Sequence, residues 1–432
     1  MRIERLFISG AVTLAACALS AAVVIPQATV TGVSANARKV EVSYTLSAPA
    51  VVTFDVLTNG VPVGEENIFT ADDGKPAVSG DICRELAADK HVFTWRSRAA
   101  WPGVRPTDVD IVLKAWPLND KPPYMVVDVS TNEVAAADRI RYYASSNAVP
   151  GGIVANPAYK TTAMVFKRIY ARCLSVTCDV RRKWSDSPKK TTVVMDHDYY
   201  LGVFEVTQAQ WKNVWKGSNT ITPLFQKDGD GRPMDNITYC HIRESRNNSR
   251  QTAYQYPNPP NPASYLGDLR TLCGNLVDFE LPTCVEWMFA AVGGFGLYYW
   301  GDGTPVTTSG NQGAVQFVCP NLARLGRYAY NGGWVPKDAA ERQNVTTNDL
   351  SHGTAIVGTY RPNAYGIYDM HGNVLERIAD RDSVCYGGDC HREPSYCIAQ
   401  STVEEVGAAG TCYSYGRGTY SGFRVACRNG LK

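Results

Sequence analysis

The chain has 432 residues, more than one typical domain, and this length indicates two domains. Its 43 basic and 41 acidic residues give a formal net charge of +2, so the sequence lacks the basic excess that binds nucleic acid or an acidic membrane surface. Aromatic residues make up 10% of the chain, which suits a domain whose irregular backbone is held by large side chains.

The first 28 residues have the pattern of an export signal. Arg2 and Arg5 precede an apolar stretch over residues 6–25, rich in Ala and Val. A transmembrane anchor is the competing interpretation, but the small residues favour cleavage before about residue 28. Leu-Ala-Ala-Cys ending at Cys17 also has the form of a lipoprotein processing site. We expect an exported protein, secreted or periplasmic, that contacts a membrane only through a lipid on Cys17.

Export determines how the cysteines are interpreted. There are 13, and 12 remain once Cys17 is removed or lipidated. An oxidising compartment converts such residues into disulfides. Zinc is the alternative ligand for Cys173 with Cys178, or for Cys385 with Cys390, although no second pair at zinc-finger spacing supports it. We expect structural disulfides for most of these cysteines.

Residues 29–129 alternate apolar with polar side chains, as in Val40, Val42 and Tyr44, and again in Val52 and Phe54. Asn-Gly, Asp-Gly and Pro-Gly pairs separate these short runs. This pattern predicts an all-β sandwich of the immunoglobulin-like kind. Small and polar residues over 130–160 then predict a linker to a second domain at residues 161–432.

Three short helices are predicted in the second domain. Thr207 with Gln210, and Thr283 with Glu286, have the spacing of capping boxes ahead of apolar faces. A third helix is expected between Ser264 and Gly274. Because these residues serve capping and packing, we assign them no catalytic role.

The sequence PNAYGIYDMHGNVLE, residues 362–376, fits neither a helix nor a strand. It combines two glycines with the oxygen-bearing side chains of Asp369, Asn373 and Glu376. Calcium prefers such an oxygen-rich irregular backbone. The alternative is a turn-rich loop whose Asp and Asn side chains bind their own backbone.

Four further motifs accompany this loop, in the order YYLGVFEVTQAQW, LPTCVEWMFAAVGG, YYWGDG and, near the end, GFR. Together they resemble the formylglycine-generating enzyme family, also called sulfatase-modifying factors, over residues 163–428. The resemblance implies an α+β fold, a variant of the C-type-lectin fold with little regular secondary structure.

The same resemblance implies two structural calcium sites. The first combines two side chains with two backbone carbonyls, from Asp369, Gly372, Val374 and Glu376. The second includes Asn321 and the carbonyl of Leu322, while its other ligands fall in a loop that differs from the family pattern.

Catalytic members of the family bind copper(I) through two late cysteines and oxidise a substrate cysteine with oxygen. In the stretch GGDCHREPSYC, Cys397 matches the second of these cysteines, whereas Arg392 stands in place of the first. Cys390 lies two residues early. Cys390 and Cys397 are therefore the candidate copper-binding and catalytic pair, and a disulfide from Cys390 to Cys385 or Cys412 is the structural alternative.

Two functions from different classes follow. The first is oxidation of a sulfatase cysteine to formylglycine, with a sulfatase polypeptide as partner and copper as cofactor. The second is a non-catalytic extracellular module that holds a glycan or protein on the lectin-like scaffold. A structural surface protein with the sandwich as a stalk is not separable from the second by sequence.

Overall fold

The computed structural model of the protein describes most of the chain. The described residues are 25–73, 75–103, 109–179, 190–218, 220–226, 228–293, 322–333, 353–381, 384–391, 397, 402–404, 420–428 and 431. The predicted export signal, including Cys17, lies outside them. No helix among these residues has the length and apolar character needed to cross a membrane.

Two four-stranded antiparallel sheets form the N-terminal region. Their strands are β1 Ala28–Ala35, β2 Val40–Leu46, β3 Ala50–Thr58, β4 Val61–Pro62, β5 Val78–Gly80, β6 Glu85–Leu86, β7 Lys90–Trp95 and β8 Asp110–Pro117. Two single-turn helices, α1 Glu66–Phe69 and α2 Ser97–Ala100, lie between them. The order is β1-β2-β7-β5 in one sheet, while in the other β3 pairs with β4, β6 and β8.

The alternating side chains of these strands form a core between the two sheets. Val40, Val42 and Tyr44 of β2 are fully buried. Phe54 of β3 meets Phe93 of β7 with ring centroids 4.7 Å apart. The region is therefore rich in sheet, as predicted, and its immunoglobulin-like character remains a prediction.

A six-stranded sheet forms the base of the second domain, in the order β10-β9-β11-β14-β20-β15. Its strands are β9 Tyr124–Asp128, β10 Ile140–Tyr143, β11 Ala163–Ile169, β14 Tyr199–Gly202, β15 Phe279–Glu280 and β20 Ala426–Cys427. A hairpin of β12 Ser175–Asp179 and β13 Lys190–Val194 extends from it. A smaller sheet pairs β16 Leu375–Arg377, β17 Val384–Tyr386, β18 Thr402–Glu404 and β19 Ser421–Gly422.

The boundaries between the regions differ from the predicted ones. β9 was assigned to the sandwich and β10 to the linker, yet both belong to the six-stranded sheet. The reason is that the polar and small residues over 130–160 form packed turns as well as β10. Backbone hydrogen bonding ties this segment to the first region, since Tyr142 N donates to Cys83 O at 2.7 Å.

The three predicted helices of the second domain are confirmed. They are α3 Gln208–Val214, α4 Tyr265–Leu272 and α5 Cys284–Val292. The predicted capping boxes are present at the first and third. Outside these helices the second domain uses a single-turn helix, α6 Leu322–Leu325, together with short 3-10 turns and one π turn over Cys240–Glu244. The described part of this domain thus has little regular structure, as expected.

No disulfide joins two of the described cysteines. Cys173 is exposed, whereas eight further cysteines are buried, among them Cys83, Cys273 and Cys427; the side chain of Cys178 lies outside the description. Burial raises the pKa of each of these three thiols to about 12. They pack as small apolar side chains, so the expectation of disulfides finds no bonded pair in this part of the protein.

The start of α5 is held by a charged cluster around Glu286. Its carboxylate accepts the Thr283 backbone N–H at 2.7 Å and contacts His197 Nε2 at 2.9 Å and the Arg428 guanidinium. Burial alone would raise the pKa of Glu286, but the bonds from His197 and Arg428 outweigh it and lower that pKa to about 2. The Glu286 bond in turn raises the pKa of His197.

We predict a corresponding pH dependence of stability. Because the pKa of Glu286 falls from 4.5 to about 2 on folding, its contribution is present above pH 4.5 and is lost as the pH falls toward 2. The contribution of His197 is complete below its ordinary pKa of 6.5 and is lost as the pH rises through its raised folded value.

The matched variant is Glu286→Gln, which keeps a capping side chain at this position and removes the charge. Urea unfolding from pH 3.5 to 7 should show the wild type losing about 1 kcal/mol of stability relative to this variant at the acid end, the first part of a total on the order of 3 kcal/mol that is fully lost only below pH 2. Parallel pH profiles for the two proteins would contradict the assignment.

Candidate functional site

The loop of residues 362–376 has an unusual backbone at three positions. Asp369, Gly372 and Asn373 all have positive φ, at 56°, 92° and 62°. A side chain at position 372 would place its Cβ 2.1 Å from the carbonyl oxygen of Arg327, so only glycine fits there. The backbone therefore turns sharply enough to direct several polar side chains inward.

Arg424 and Glu376 form a fully buried ion pair beneath this loop. Their side chains are 0% and 1% exposed. Arg424 Nε and Nη2 donate to the two carboxylate oxygens at 2.6 and 2.5 Å, and Trp287 Nε1 donates to the same group at 2.8 Å. Arg424 also donates to the carbonyls of Gly202 and Tyr368, each at 2.9 Å. One guanidinium thus joins β14, the loop and β16.

Glu205 adds a second buried carboxylate that holds the other side of the loop. Asn373 Nδ2 donates to it at 2.6 Å, and the backbone N–H of Val374 donates at 3.3 Å. Asn373 Oδ1 in turn accepts from Ala355 N at 2.8 Å. Burial raises the pKa of Glu205 well above its usual range, and the charges of Asp369 and Glu376 raise it further.

Asp369 is the third buried carboxylate. Its Oδ2 accepts from Gly358 N at 2.7 Å, whereas its buried Oδ1 has no hydrogen-bond partner. Burial raises the pKa of Asp369 to about 6. Three carboxylates here face one guanidinium, and the surplus negative charge is costly in a buried environment.

The predicted calcium ligands can be compared with this geometry. Asp369 offers an unused oxygen, and the carbonyls of Gly372 and Val374 lie in the same loop. Glu376 differs, because Arg424 already neutralises its charge. No three His, Cys, Asp or Glu side chains in the described part of the chain are arranged to hold a metal ion. A calcium ion would thus rely on Asp369 and backbone oxygens, and the site remains a prediction.

Only part of the second predicted calcium site lies within the described residues. Asn321 lies outside the described residues. Leu322 is buried at the start of α6, and its carbonyl accepts the Gly326 N–H at 3.0 Å. That carbonyl oxygen therefore already has a partner in the helical turn.

The structure brings the two candidate cysteines into one buried region. Cys390 and Cys397 are both 0% exposed. Cys390 N donates to Asn373 O at 2.9 Å, and a side chain at Gly333 would meet the Cys390 carbonyl oxygen at 1.9 Å. Burial raises the pKa of the Cys390 thiol well above its usual range, and nearby Asp389 and Cys397 raise it further. Arg392 lies outside the described residues.

No sequence pattern singles out His371, which lies in the loop of residues 362–376. It is 1% exposed, and burial lowers the pKa of its imidazole well below the usual range. Its nearest polar contacts are the backbone groups of Ala291 and Cys397. The roles of Glu205 and Arg424 were also missed. The sequence signal for both residues is a charged side chain inside an apolar run, which indicates a buried charge: Glu205 in VFEV and Arg424 in GFRV.

Comparison with known proteins agrees with the resemblance. Residues 149–429 match the family described as sulfatase-modifying factor enzyme 1-like domain. The chaperone protein LppX of Paenibacillus barcinonensis is 30% identical over 205 residues, and the match spans 45% of this chain and 65% of that protein.

Two solved structures are also similar. Variable protein 1 of Treponema denticola is 21% identical with a TM-score of 0.37, and the match covers 62% of this chain and 96% of that one. PvdO from Pseudomonas aeruginosa is 16% identical with a TM-score of 0.38, and the match covers 61% and 94%.

We predict that Arg424→Lys lowers the free energy of unfolding by about 3–5 kcal/mol, because an ammonium cannot replace the forked donors and leaves buried acceptors unmet. Urea unfolding measures the loss. The matched control is Arg96→Lys, at an exposed pair with Asp73, where little change is expected. Equal behaviour of the two variants would contradict a central role for Arg424.

For calcium, we predict that excess chelator lowers the melting temperature of the wild-type protein, because bound calcium stabilises only the folded state. Asp369→Ala should remove most of that sensitivity. Asp235→Ala is the control, since Asp235 is a buried carboxylate outside the loop. A wild-type melting curve that chelator leaves unchanged would rule the site out.

Proposed function

We propose that this chain, which belongs to the family of sulfatase-modifying factor enzyme 1-like proteins, is an exported binding module rather than an oxidase. The module holds a macromolecular partner on the lectin-like scaffold. Its partner is an extracellular protein or glycan, and nucleic acid is not expected because the net charge is only +2.

The observation that carries this proposal is the burial of both candidate cysteines. Oxidation of a polypeptide substrate requires the substrate thiol to approach the catalytic pair. With Cys390 and Cys397 each 0% exposed, a substrate side chain reaches neither sulfur while both residues stay buried. A thiol whose pKa is raised by burial is also a poor nucleophile.

The departures from the family motif support the same proposal. Arg392 replaces the first catalytic cysteine, and Cys390 lies seven residues from Cys397 by number. Meanwhile Arg424, Glu376 and Glu205 are all hydrogen-bonded within the scaffold. The chain thus keeps the family scaffold but alters the segment that carries the catalytic cysteines. Because one fold can serve several functions, this scaffold remains suited to binding.

One relative is described as a chaperone protein, a term for proteins that bind other polypeptides. Because this chain spans 65% of that relative's length, the likeness supports a binding role without assigning its partner. We propose export through the N-terminal signal, with a lipid on Cys17 as the variant that would anchor the protein at the cell surface.

The oxidase is the second candidate, and one observation favours it. Despite the altered spacing, the fold brings Cys390 and Cys397 close enough for one to affect the pKa of the other. Two thiolates would suit copper(I), which would supply oxygen activation when bound. This chain would then need to expose both sulfurs to admit a sulfatase polypeptide.

We predict that Cys390 and Cys397 resist a thiol-specific reagent in the folded, reduced protein and react only on unfolding. Cys173 is the internal control, since it is exposed and should react at once. In parallel, copper-loaded protein should leave a sulfatase-type cysteine peptide unmodified under oxygen. Conversion of the peptide to formylglycine, abolished by Cys397→Ser, would overturn the binding proposal and establish the oxidase.

A further inference from the structure

A cleft of about 660 Å³ lies between the N-terminal region and the second domain. On one side it is lined by Glu66 and Thr70, at α1 and directly after it. On the other side lie the loop of residues 146–154 and the ring of Tyr368. The volume falls within the range of about 300–1,000 Å³ that small-molecule sites occupy.

The wall that carries Tyr368 is held rigidly by the buried network. Tyr368 N donates to Val203 O at 3.0 Å, and Tyr368 O accepts from Arg424 at 2.9 Å. The Tyr368 ring packs against Phe204, with centroids 5.2 Å apart. This aromatic ring is half-buried, so it presents a fixed apolar surface to the cleft.

The opposite loop is equally well anchored. Gly151 N donates to Thr70 Oγ1 at 2.9 Å, which fastens the loop to the N-terminal region. Pro150 O accepts from Asn156 Nδ2 at 3.0 Å and from the Tyr159 hydroxyl at 2.8 Å. A ligand therefore meets a cleft that is largely formed beforehand, which lowers the entropic cost of binding.

The chemistry of the lining selects the ligand. Among the described residues that line the cleft, Glu66 is the one with a charge, and Ser146 and Asn147 add neutral hydrogen-bonding groups on exposed positions. The absence of Lys and Arg from this lining disfavours phosphate and other anions. The Glu66 carboxylate accepts hydrogen bonds from ligand hydroxyls, and the Asn147 amide both accepts and donates them. The negative face of the Tyr368 ring attracts polarised C–H groups.

We propose that this cleft binds a neutral saccharide, with one sugar ring on Tyr368 and its hydroxyls hydrogen-bonded to Glu66 and Asn147. The site rests on the proposed function and makes it specific, because a glycan is one of the two partner classes named there, and it uses neither cysteine. An oxidase built on this chain would carry the same cleft.

The test is calorimetric titration of the full-length mature protein with four neutral pentasaccharides: cellopentaose, xylopentaose, maltopentaose and chitopentaose. At least one should bind, and Tyr368→Leu and Asn147→Ala should each weaken that binding by about tenfold or more. Tyr170→Leu is the matched control, since Tyr170 is an exposed tyrosine that is not among the lining residues of the cleft, and this variant should bind like the wild type.

Three results would overturn the proposal. These are no binding of any of the four saccharides at millimolar concentration, binding that both cleft variants retain, or equal loss in Tyr170→Leu. Asn147 is exposed, so Asn147→Ala tests the site even if Tyr368→Leu disturbs the fold. The thiol and peptide measurements do not depend on the cleft, so failure of the saccharide site and failure of the proposed binding function give different results.

Discussion

A guanidinium withdrawn from water is stable only when acceptors face its N–H groups, and among the described, fully buried arginines of the second domain Arg424 is the one that joins the central loop to two strands. Arg424 comes from the end of the chain, Glu376 from the central loop, and the accepting carbonyls from Gly202 and Tyr368. Few combinations of backbone positions satisfy this requirement at once. The ion pair therefore selects one arrangement of segments that have little helix or strand of their own to fix them.

The same constraint explains the polar character of this interior. A loop-rich domain leaves many backbone N–H and C=O groups without sheet or helix partners, and each must be satisfied. Glu205, Asp369 and Asn373 accept backbone N–H groups from Val374, Gly358 and Ala355. These side chains take the place of a regular ladder. Their surplus of negative charge is the cost of that solution, and a proton or a calcium ion could offset it.

Sequence predicted the features that depend on local chemistry. The capping boxes at Thr207 and Thr283 predicted two helices, and the alternation in β2 and β3 predicted the N-terminal sheets. It missed what depends on distant partners. The bond from Arg424 to Glu376 spans 48 residues, and that from Asn373 to Glu205 spans 168. No local pattern specifies such pairs. The predicted domain boundary near residue 129 differs from the structure for the same reason. β10 pairs with β9 and β9 pairs with β11, and no local pattern shows these partners.

The buried polar interior positions the groups on which both proposals depend. It holds the loop of residues 362–376 still, it fixes Tyr368 at the cleft, and it ties Cys390 to Asn373 in a buried position. Native-state hydrogen exchange tests the central claim directly. The amides of Ala355, Gly358 and Val374 lie in irregular backbone, yet they should exchange only through unfolding of the whole domain, with protection equal to that of β11. Exchange of these three amides through local opening, while β11 stays protected, would contradict the claim that the buried network organises the domain.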